Sequence, residues 1–340
     1  MYLTLSVLAL GLLFGVLLFF KHPFLEGNGS LMVEHKTSVI IPARNEGHNL
    51  PKILSDLKKQ NKPVFEIICV NDESDDDTAA VALSYGVKLI NVTRKPDGWV
   101  GKSWACQVGA NHAQGDSFLF LDADVRLAPN AIEKLEQANE KYDCVISVQP
   151  YHQTIKLYEQ FSLFFNLIMV AANGVSFPFS QKNIGLFGPV ILISKDEYQV
   201  IDGHASDKNS VVEDLTLGEK LKAKGIPFKL FLGGKDISFR MYSGGFIQLL
   251  QGWTKNFATG ASKTPLPLML MVVLWLSTCI SAVIYFLNLI WDYSAANLAF
   301  AVLVYCIVTV ELLCAARHIG NFKKRVIALF PIPLMAFLSI

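Results

Sequence analysis

Apolar residues are concentrated at the two ends of the 340-residue chain, whereas polar residues interrupt them regularly in the middle. Tyr2–Phe20 is an uncharged run, and the chain is again mostly apolar from Pro265 onward. About twenty apolar residues cross the hydrocarbon core of a bilayer as a helix. The pattern therefore predicts an N-terminal transmembrane anchor at 1–21, C-terminal transmembrane helices within 265–340, and a globular domain between them.

The terminal runs differ in what they predict. Tyr2–Phe20 has no basic residue before Lys21 and no small-residue cleavage site, which favours an uncleaved anchor over a signal peptide. Leu266–Ile290 and Leu298–Ala316 are long enough to span a bilayer. Val326–Ile340 is short, and it would form a fourth span only if the chain continued past residue 340.

Basic residues predict the orientation of these spans. Segment 317–325 contains four of them, Arg317, Lys323, Lys324 and Arg325, whereas segment 291–297 contains none. The positive-inside rule places segment 317–325 in the cytoplasm. The globular domain lies two spans away and is therefore expected on the same side. The prediction is a multi-pass cell-membrane protein whose globular domain faces the cytoplasm.

Composition narrows the possible partners. The formal net charge is +1 and charged residues make up 17% of the chain, so nothing indicates a nucleic-acid partner. The six cysteines show no C-x-x-C spacing, which favours buried thiols over disulfides or a metal cluster.

The middle of the chain alternates between short β-rich runs and runs with helical spacing. The predicted strands are 37–41, 65–70, 87–92 and 117–121, and the predicted helices between them are 49–59, 78–85 and 103–113. Alternation of this kind predicts an α/β domain with a mostly parallel, Rossmann-like sheet. Ligands of such sheets bind where strands end. Polar clusters follow three of the strands, at 42–46, 71–78 and 122–124.

Asp122 and Asp124 follow the most apolar of these strands. Two carboxylates two residues apart offer hard oxygen ligands for Mg²⁺ or Mn²⁺. Such an ion would bridge a donor diphosphate and neutralise the charge that develops as it leaves. The alternative interpretation is a solvated turn.

Two further acidic groups have competing interpretations. Asp72 follows a strand and could accept from a base N–H or a ribose hydroxyl, whereas residues 75–77 resemble acids at a helix start. Asp214 opens the helical pattern Val211–Lys224. It could cap that helix, or it could act as a general base on an acceptor hydroxyl or engage an acceptor carboxylate. The residues alone do not decide between these two roles.

Five segments in order resemble family 2 glycosyltransferases, which have the GT-A fold. They are SVIIPARNE (38–46), ICVNDESDDDT (68–78), GKSWACQVGA (101–110), FLDADV (120–125) and VVEDLTLGEKLKAKG (211–225). The resemblance implies an inverting hexosyltransferase with a nucleotide-sugar donor and a divalent metal ion.

The resemblance also implies a role for each site residue. Pro42, Arg44, Glu46 and Asp72 match the pocket for the nucleotide base and ribose, and Lys102 matches a lysine near the donor. Asp122 matches the aspartate that faces the donor sugar and ribose. Asp124 matches the metal ligand, His204 a second possible ligand, and Asp214 the catalytic base.

Finer features are similar to the carotenoid-glycosylating branch of the family, with hopanoid-associated enzymes as close relatives. These features include segments 98–105, 202–204, 240–242 and 252–261. That similarity implies glucose from UDP-glucose and a carotenoid acceptor, although no residue excludes other hexoses. Hopanoid, diacylglycerol and polyprenyl phosphate acceptors are alternatives. Processive polysaccharide synthases carry Q-x-x-R-W, but Gln248–Trp253 reads Q-L-L-Q-G-W, which favours a single transfer.

The predicted organisation is a GT-A catalytic domain at 35–240, an amphipathic interfacial region at 241–264 and transmembrane helices on either side. Phe161–Pro178 is uncharged and is either a core helix or an interfacial helix beside an acceptor entrance. A GT-A nucleotidyltransferase and a non-catalytic membrane scaffold are the rival functions. The spans and the E-D pair at 213–214 count against the first, and the intact aspartates count against the second.

Overall fold

The computed structural model describes residues 2–27, 35–179, 185–207 and 213–339, which form two compact units. The first, called the sheet unit, comprises Pro23–Tyr151 and Gly185–Arg240. The second, called the helical unit, comprises Met1–His22, His152–Ile184 and Met241–Ile340.

The secondary structure follows the alternation expected in the middle of the chain. The α-helices are α1 (Tyr2–Leu18), α2 (Leu50–Lys58), α3 (Thr78–Ser84), α4 (Gly101–His112), α5 (Ala131–Tyr142), α6 (Leu163–Asn173), α7 (Lys195–Val200), α8 (Glu213–Ala223), α9 (Phe246–Lys263), α10 (Leu266–Asn288), α11 (Ala295–Ala316), α12 (Lys324–Ala328) and α13 (Pro331–Leu338). Two 3₁₀-helices span Leu157–Ser162 and Gly203–Asp207. The strands are β1 (Thr37–Ala43), β2 (Glu66–Asp72), β3 (Lys88–Val92), β4 (Ser117–Leu121), β5 (Val125–Leu127), β6 (Val145–Gln149), β7 (Tyr151–His152), β8 (Val190–Ser194), β9 (Phe228–Leu232) and β10 (Ile237–Phe239).

A seven-stranded sheet organises the sheet unit, with the order β3-β2-β1-β4-β8-β6-β9. β1, β2, β3 and β4 pair in parallel, and β6 pairs in parallel with β9. β8 is antiparallel to both β4 and β6. The prediction of a mostly parallel sheet is therefore confirmed, with one antiparallel strand inserted.

The strands and helices form where the apolar pattern predicts them. Every residue of β4 is buried, as in a parallel sheet covered on both faces. α2 buries the predicted stripe of Leu50, Ile53, Leu54 and Leu57 against the core. The start predicted for α8 at Val211 lies outside the described residues.

Two helices of the helical unit, α10 and α11, are long and apolar enough to cross a membrane, as predicted. α1 has 17 residues, and the anchor expected there stays a prediction. α1 packs on α10 through glycines: a Cβ at Gly11 would lie 1.9 Å from Thr278 Oγ1, and one at Gly15 would lie 2.4 Å from Trp275 Cδ1. Small residues at a spacing of four allow helix backbones to approach closely in membranes.

The segment 152–184 belongs to the helical unit, so the predicted continuous domain at 35–240 is interrupted there. The reason is the uncharged helix α6, which buries nearly all its side chains. The ring of Phe165 stacks on Trp253 at 4.8 Å between centroids. Of the two interpretations of 161–178, the core helix is confirmed, and the core is that of the helical unit.

Candidate active site

Three polar clusters come together because their strands are neighbours in the sheet. β2, β1 and β4 lie side by side and run in parallel, so their carboxyl ends share one edge. Asp72 ends β2, Pro42 lies near the end of β1, and Asp122 follows β4. The polar clusters that follow these three strands therefore lie along one edge of the sheet.

A cleft of about 230 Å³ opens at this edge. Nine residues line it: Pro42, Ala43, Glu46, Asp72, Lys102, Ala105, Asp122, Ala123 and Asp124. Six of the nine site residues predicted from the sequence are among them. The other three, Arg44, His204 and Asp214, lie outside the lining and are described below.

The first turn of α4 places Lys102 against the cleft. Its Nζ lies 2.7 Å from Asp122 Oδ1, and both side chains stay partly exposed. A Cβ at Gly101 would lie 2.3 Å from Asp72 Oδ2, closer than side-chain atoms approach. Glycine at 101 therefore allows the positive end of α4 to meet the Asp72 carboxylate.

Asp72 is buried and incompletely paired. Its Oδ2 lies 3.9 Å from Arg44 Nη1, and the Arg44 side chain is largely exposed. Its Oδ1 accepts no hydrogen bond from any residue that the structure describes. A buried carboxylate oxygen without a donor costs free energy. The cleft thus presents an acceptor suited to a hydroxyl or N–H of a bound molecule.

Three carboxyl groups, those of Glu46, Asp122 and Asp124, lie close together on the other side of the cleft. Burial, followed by repulsion from Asp122 and Glu46, raises the pKa of Asp124 well above its ordinary range, and Lys102 opposes this. Burial also raises the pKa of Glu46, with a smaller contribution from Asp122. A divalent cation would remove these repulsions.

These carboxylates fit a metal ion that is shared with a ligand. Among the described ranges, no group of three or more His, Cys, Asp or Glu side chains is placed to hold a metal by itself. Mg²⁺ is usually held by one or two carboxylates together with substrate phosphates and water. Asp122 and Asp124 match that donor set.

Hydrogen bonds beside the cleft join the loop that follows β1 to the loop that follows β2. Asn45, at a left-handed φ of 56°, accepts from the backbone N–H of Asp75 at 2.8 Å. Asp76 accepts from the backbone N–H of Gly47 at 2.9 Å and from that of Thr78 at 3.0 Å. The structural role expected at the helix start is confirmed for Asp76.

Asp214 is connected to Asp122 through a single dipeptide. Its Oδ2 accepts from the Gly188 N–H at 3.0 Å, and the Asp122 N–H donates to the Pro189 carbonyl at 3.0 Å. α8 begins one residue earlier, at Glu213, so Asp214 lies inside its first turn rather than before it. The carboxylate is thereby held near the end of β4. Its role as the base stays a prediction.

His204 is a buried residue behind β4. Its Nδ1 lies 2.7 Å from the Tyr198 hydroxyl, which donates to Gln107 Oε1 at 3.2 Å. Its ring lies 5.0 Å from that of Phe120. The structure does not place it among the residues that line the cleft. Its role as a metal ligand stays a prediction.

Some residues of the site were missing from the sequence prediction. Ala105 and Ala123 line the cleft, and their small side chains leave it open. Gly188 and Pro189 connect Asp214 to Asp122 through two hydrogen bonds. A Gly-Pro pair marks a turn in a sequence, but its partner 26 residues away leaves no local signal.

Comparison with known proteins agrees with this geometry. Residues 38–178 match the family model described as glycosyl transferase family 2. A 4,4'-diaponeurosporenoate glycosyltransferase of Staphylococcus haemolyticus (strain JCSC1435) is 40% identical over 253 residues, which cover 72% of this chain and 67% of that protein. One from Staphylococcus aureus (strain MRSA252) is 36% identical over 335 residues, covering 96% and 88%. The chain belongs to glycosyltransferase family 2. It is therefore a glycosyltransferase, as the five segments predicted.

Solved structures agree on the fold of this glycosyltransferase. A mannosyltransferase from Pyrobaculum calidifontis, in complex with GDP-Man and Mn²⁺, matches 93% of this chain and 96% of its own. Its TM-score is 0.56 and its sequence identity 15%. Glucosyl-3-phosphoglycerate synthase from Mycobacterium tuberculosis, in complex with phosphoglyceric acid, matches 72% and 88%, with a TM-score of 0.50 and 16% identity. The GT-A fold expected for the sheet is confirmed.

Proposed function

We propose that the protein is a membrane-associated, metal-dependent inverting glycosyltransferase that moves glucose from UDP-glucose onto a carotenoid. The observation that carries this proposal is the meeting of Asp72, Lys102, Asp122 and Asp124 in one cleft, with Asp214 connected to it through Gly188–Pro189. The relatives named above supply the acceptor class, since each is named for diaponeurosporenoate.

The donor binds along the three strand ends. Asp72 Oδ1 accepts from a ribose hydroxyl or a base N–H, which satisfies its missing hydrogen bond. Lys102 lies at the positive end of α4, where a diphosphate is stabilised. Pro42, Arg44 and Glu46 complete the nucleotide side.

Asp124, together with Asp122, would hold a Mg²⁺ or Mn²⁺ ion in this cleft. When bound, the ion supplies charge neutralisation for the departing nucleotide. The Lys102 ammonium group lies 2.7 Å from Asp122 Oδ1, next to the proposed diphosphate position. The solved mannosyltransferase was in complex with both a nucleotide sugar and Mn²⁺, which supports this assignment.

A single displacement accounts for the transfer. An acceptor oxygen attacks C1 of the sugar, and the bond from C1 to the nucleotide diphosphate breaks on the opposite face, which inverts the anomeric centre. A hydroxyl acceptor must give up a proton, and we assign Asp214 as the base that takes it, which is supported by its connection to Asp122 through Gly188–Pro189. A carboxylate acceptor is already ionised near neutral pH, so Asp214 would orient it rather than deprotonate it.

Processive polymer synthesis is not supported by the helical unit. Trp253 of Q-L-L-Q-G-W is 2% exposed, stacks on Phe165, and donates from Nε1 to Ser162 Oγ at 3.1 Å. An indole used in this way does not present a face to an acceptor sugar. This supports a single transfer. Phe246–Lys263 forms a helix within the region 241–264, and its interfacial role stays a prediction. Lys255, which could contact phosphate, has a side chain outside the described residues.

The experiment is a transfer assay in membranes that contain the full chain. The vesicles receive labelled UDP-glucose, Mn²⁺ and one of three acceptors: diaponeurosporenoate, its alcohol analogue or diacylglycerol. Mass spectrometry should show one hexose added to the carotenoid, and NMR should show the inverted anomer. An elongating polysaccharide, a retained anomer, or transfer to diacylglycerol alone would each contradict the proposal. UDP-galactose and GDP-mannose serve as donor controls.

A further inference from the structure

The segment 324–338 contains two helices of five and eight residues, each far shorter than the roughly twenty residues needed to cross a bilayer. Residues 321–323, called the entry of the segment, are hydrogen-bonded to residues 154–160 of the helical unit. The Lys323 N–H donates to Gln160 Oε1 at 2.8 Å, and Asn321 Oδ1 accepts from the Thr154 N–H at 2.6 Å. The chain therefore lies beside residues 154–160 at the point where α12 begins.

The middle of the segment, residues 328–330, is called the tip and lies beside the midpoint of α11. The Tyr305 hydroxyl donates to the Ala328 carbonyl at 2.6 Å, and the rings of Tyr305 and Phe330 are 4.9 Å apart. Tyr305 precedes the last residue of α11, Ala316, by eleven residues. At 1.5 Å per residue, the tip is about 16 Å from that end of the helix.

The second half of the segment returns toward its entry. The ring of Phe337 lies 4.9 Å from that of Phe165, which follows the 3₁₀-helix carrying Gln160. The ring of the adjacent Phe164 lies 6.3 Å from Trp275. Both ends of the segment thus contact the same part of the helical unit, and the tip contacts a different one.

The depth of this return can be checked along α11. A Cβ on Gly15 would lie 2.4 Å from Trp275 Cδ1 and 1.7 Å from Glu311 Oε1, so Trp275 is at the level of Glu311. Glu311 is six residues, or about 9 Å, nearer the Ala316 end than Tyr305 is. The seven residues from Phe330 to Phe337 rise by about the same distance as a helix.

The part of the segment that follows Arg325 is chemically suited to hydrocarbon. Side chains pointing outward from the segment are apolar and exposed: Leu329, Ile332, Met335 and Leu338 are 57%, 56%, 61% and 47% exposed. Backbone N–H groups at 329, 330 and 332 donate within the segment at 3.0 to 3.1 Å, and residues 331 and 333 are prolines without an N–H. Backbone that enters lipid must satisfy its polar groups internally.

The entry has the opposite character. Lys323, Lys324 and Arg325 are consecutive and exposed. Basic residues beside a membrane are attracted to anionic headgroups. A charged entry, an apolar exposed tip and the adjacent candidate spans indicate the same surroundings for the whole segment.

We propose that residues 324–338 form a re-entrant membrane hairpin, which enters the lipid leaflet beside α11 and leaves on the side where it entered. Its partner is the acyl chains of that leaflet, with phospholipid headgroups at Lys323, Lys324 and Arg325. The proposal rests on membrane insertion of α10 and α11 and does not depend on the transferred sugar or its acceptor.

Side-selective labelling tests the topology. The full chain carries Cys306→Ala and Cys314→Ala, which remove the two exposed thiols, and one new cysteine at Lys323, Ser339 or Tyr293. A membrane-impermeant maleimide is added to sealed vesicles. Lys323→Cys and Ser339→Cys should react from the same side, and Tyr293→Cys, in the α10–α11 turn, from the other. Reaction of Ser339→Cys from the side of Tyr293→Cys would show a span and overturn the hairpin.

Fluorescence quenching tests the depth. An environment-sensitive dye on Ile332→Cys is quenched by phospholipids brominated near the headgroup or near the chain end. Its profile should match that of Ile307→Cys, an exposed α11 residue near Tyr305, and Met335→Cys should be shallower. Quenching of Ile332→Cys by aqueous iodide, or by headgroup bromine alone, would overturn the proposal. Tyr305→Phe should move the dye outward, whereas Tyr285→Phe should not.

Discussion

The sheet unit and the helical unit depend on different kinds of close contact. In the sheet unit, Lys102 and Asp122 meet at 2.7 Å and their charges remain partly solvated. In the helical unit, the close approaches are made by Gly11 and Gly15, whose missing side chains leave room for α10. Charged side chains define the cleft of the sheet unit, whereas glycines allow close helix packing in the helical unit.

The surroundings proposed for the two units account for this difference. A cleft that admits water and a cation can hold several carboxylates together, because the bound cation offsets their mutual repulsion. Apolar helices in lipid gain little from hydrophobic burial against each other, so they rely on close van der Waals contact. Charge-changing substitutions should therefore disable chemistry in the sheet unit without unfolding it, and size-changing substitutions should loosen the helical unit without altering the chemistry.

The largest effect is expected at Asp214. Asp214→Asn should lower transfer to a hydroxyl acceptor by roughly 10²–10⁴-fold, the usual contribution of a general base. Transfer to a carboxylate acceptor should fall much less, since no proton is removed. Asp196→Asn, an exposed acid in the first turn of α7, is the matched control and should leave both rates unchanged. Equal losses with the two acceptors would show that Asp214 is not a base.

The pH dependence of metal binding should be the next largest effect. The raised pKa of Asp124 means that a proton competes with the ion, so apparent Mn²⁺ affinity should increase up to about tenfold per pH unit above pH 6. An ordinary aspartate would give a constant affinity above about pH 5. Mn²⁺ titrations between pH 6 and 8 measure this, and a flat profile would contradict it.

Stability should follow the same ionisation with the opposite sign. Because the folded pKa of Asp124 is raised, its contribution to stability is full below the ordinary aspartate range and is lost as pH rises through the folded value. Thermal unfolding without metal should therefore show a lower midpoint at pH 8 than at pH 6. Asp122→Asn removes one source of repulsion and should flatten both pH profiles.

A smaller effect is expected from Gly101→Ala. The new Cβ would meet Asp72 Oδ2 and displace the nucleotide side of the cleft. The KM for UDP-glucose should rise roughly tenfold, equivalent to about 1.4 kcal/mol of binding, with kcat nearly unchanged. Gly109→Ala, which meets the Ile40 methyl group in the core instead, should lower the unfolding temperature and leave KM alone.

The smallest effect on chemistry belongs to the helical unit. Gly15→Leu should overpack the contact with Trp275 at a cost of about 1–3 kcal/mol and lower the unfolding midpoint in detergent by several degrees. UDP binding should be unchanged. Ala9→Leu, on the exposed face of α1, is the control. A loss of UDP binding in Gly15→Leu would show that the two units are not independent in this respect.

Local patterns made much of the sheet unit predictable. Strands buried on both faces and amphipathic helices such as α2 leave a clear periodicity, and strand ends identified the cleft. The antiparallel strand β8 was not predicted, because its direction depends on pairing with β4 and β6. The dipeptide 188–189 was missed for the same reason, since its partners are distant in the chain.

The helical unit was less predictable beyond the lengths of its spans. An uncharged run such as α6 is apolar on all sides, so its pattern does not say what it packs against. The reversal near Phe330 depends on contacts with Tyr305 and Phe165 that no local signal announces. The close approach at Gly11 and Gly15 is visible in the sequence only once α10 is known to face them.

The most direct test of the central claim is Mn²⁺ binding in the presence of UDP. The full chain in detergent is titrated with Mn²⁺, and free Mn²⁺ is measured by electron paramagnetic resonance, for the wild type, Asp124→Asn and Asp116→Asn. Asp116 lies at the opposite end of β4 from Asp122 and accepts from the Lys36 N–H. We expect Asp124→Asn to lose roughly 10–100-fold in affinity and Asp116→Asn to match the wild type. UDP-dependent Mn²⁺ binding that is equally tight in all three proteins would contradict the assignment of this cleft as the metal and donor site.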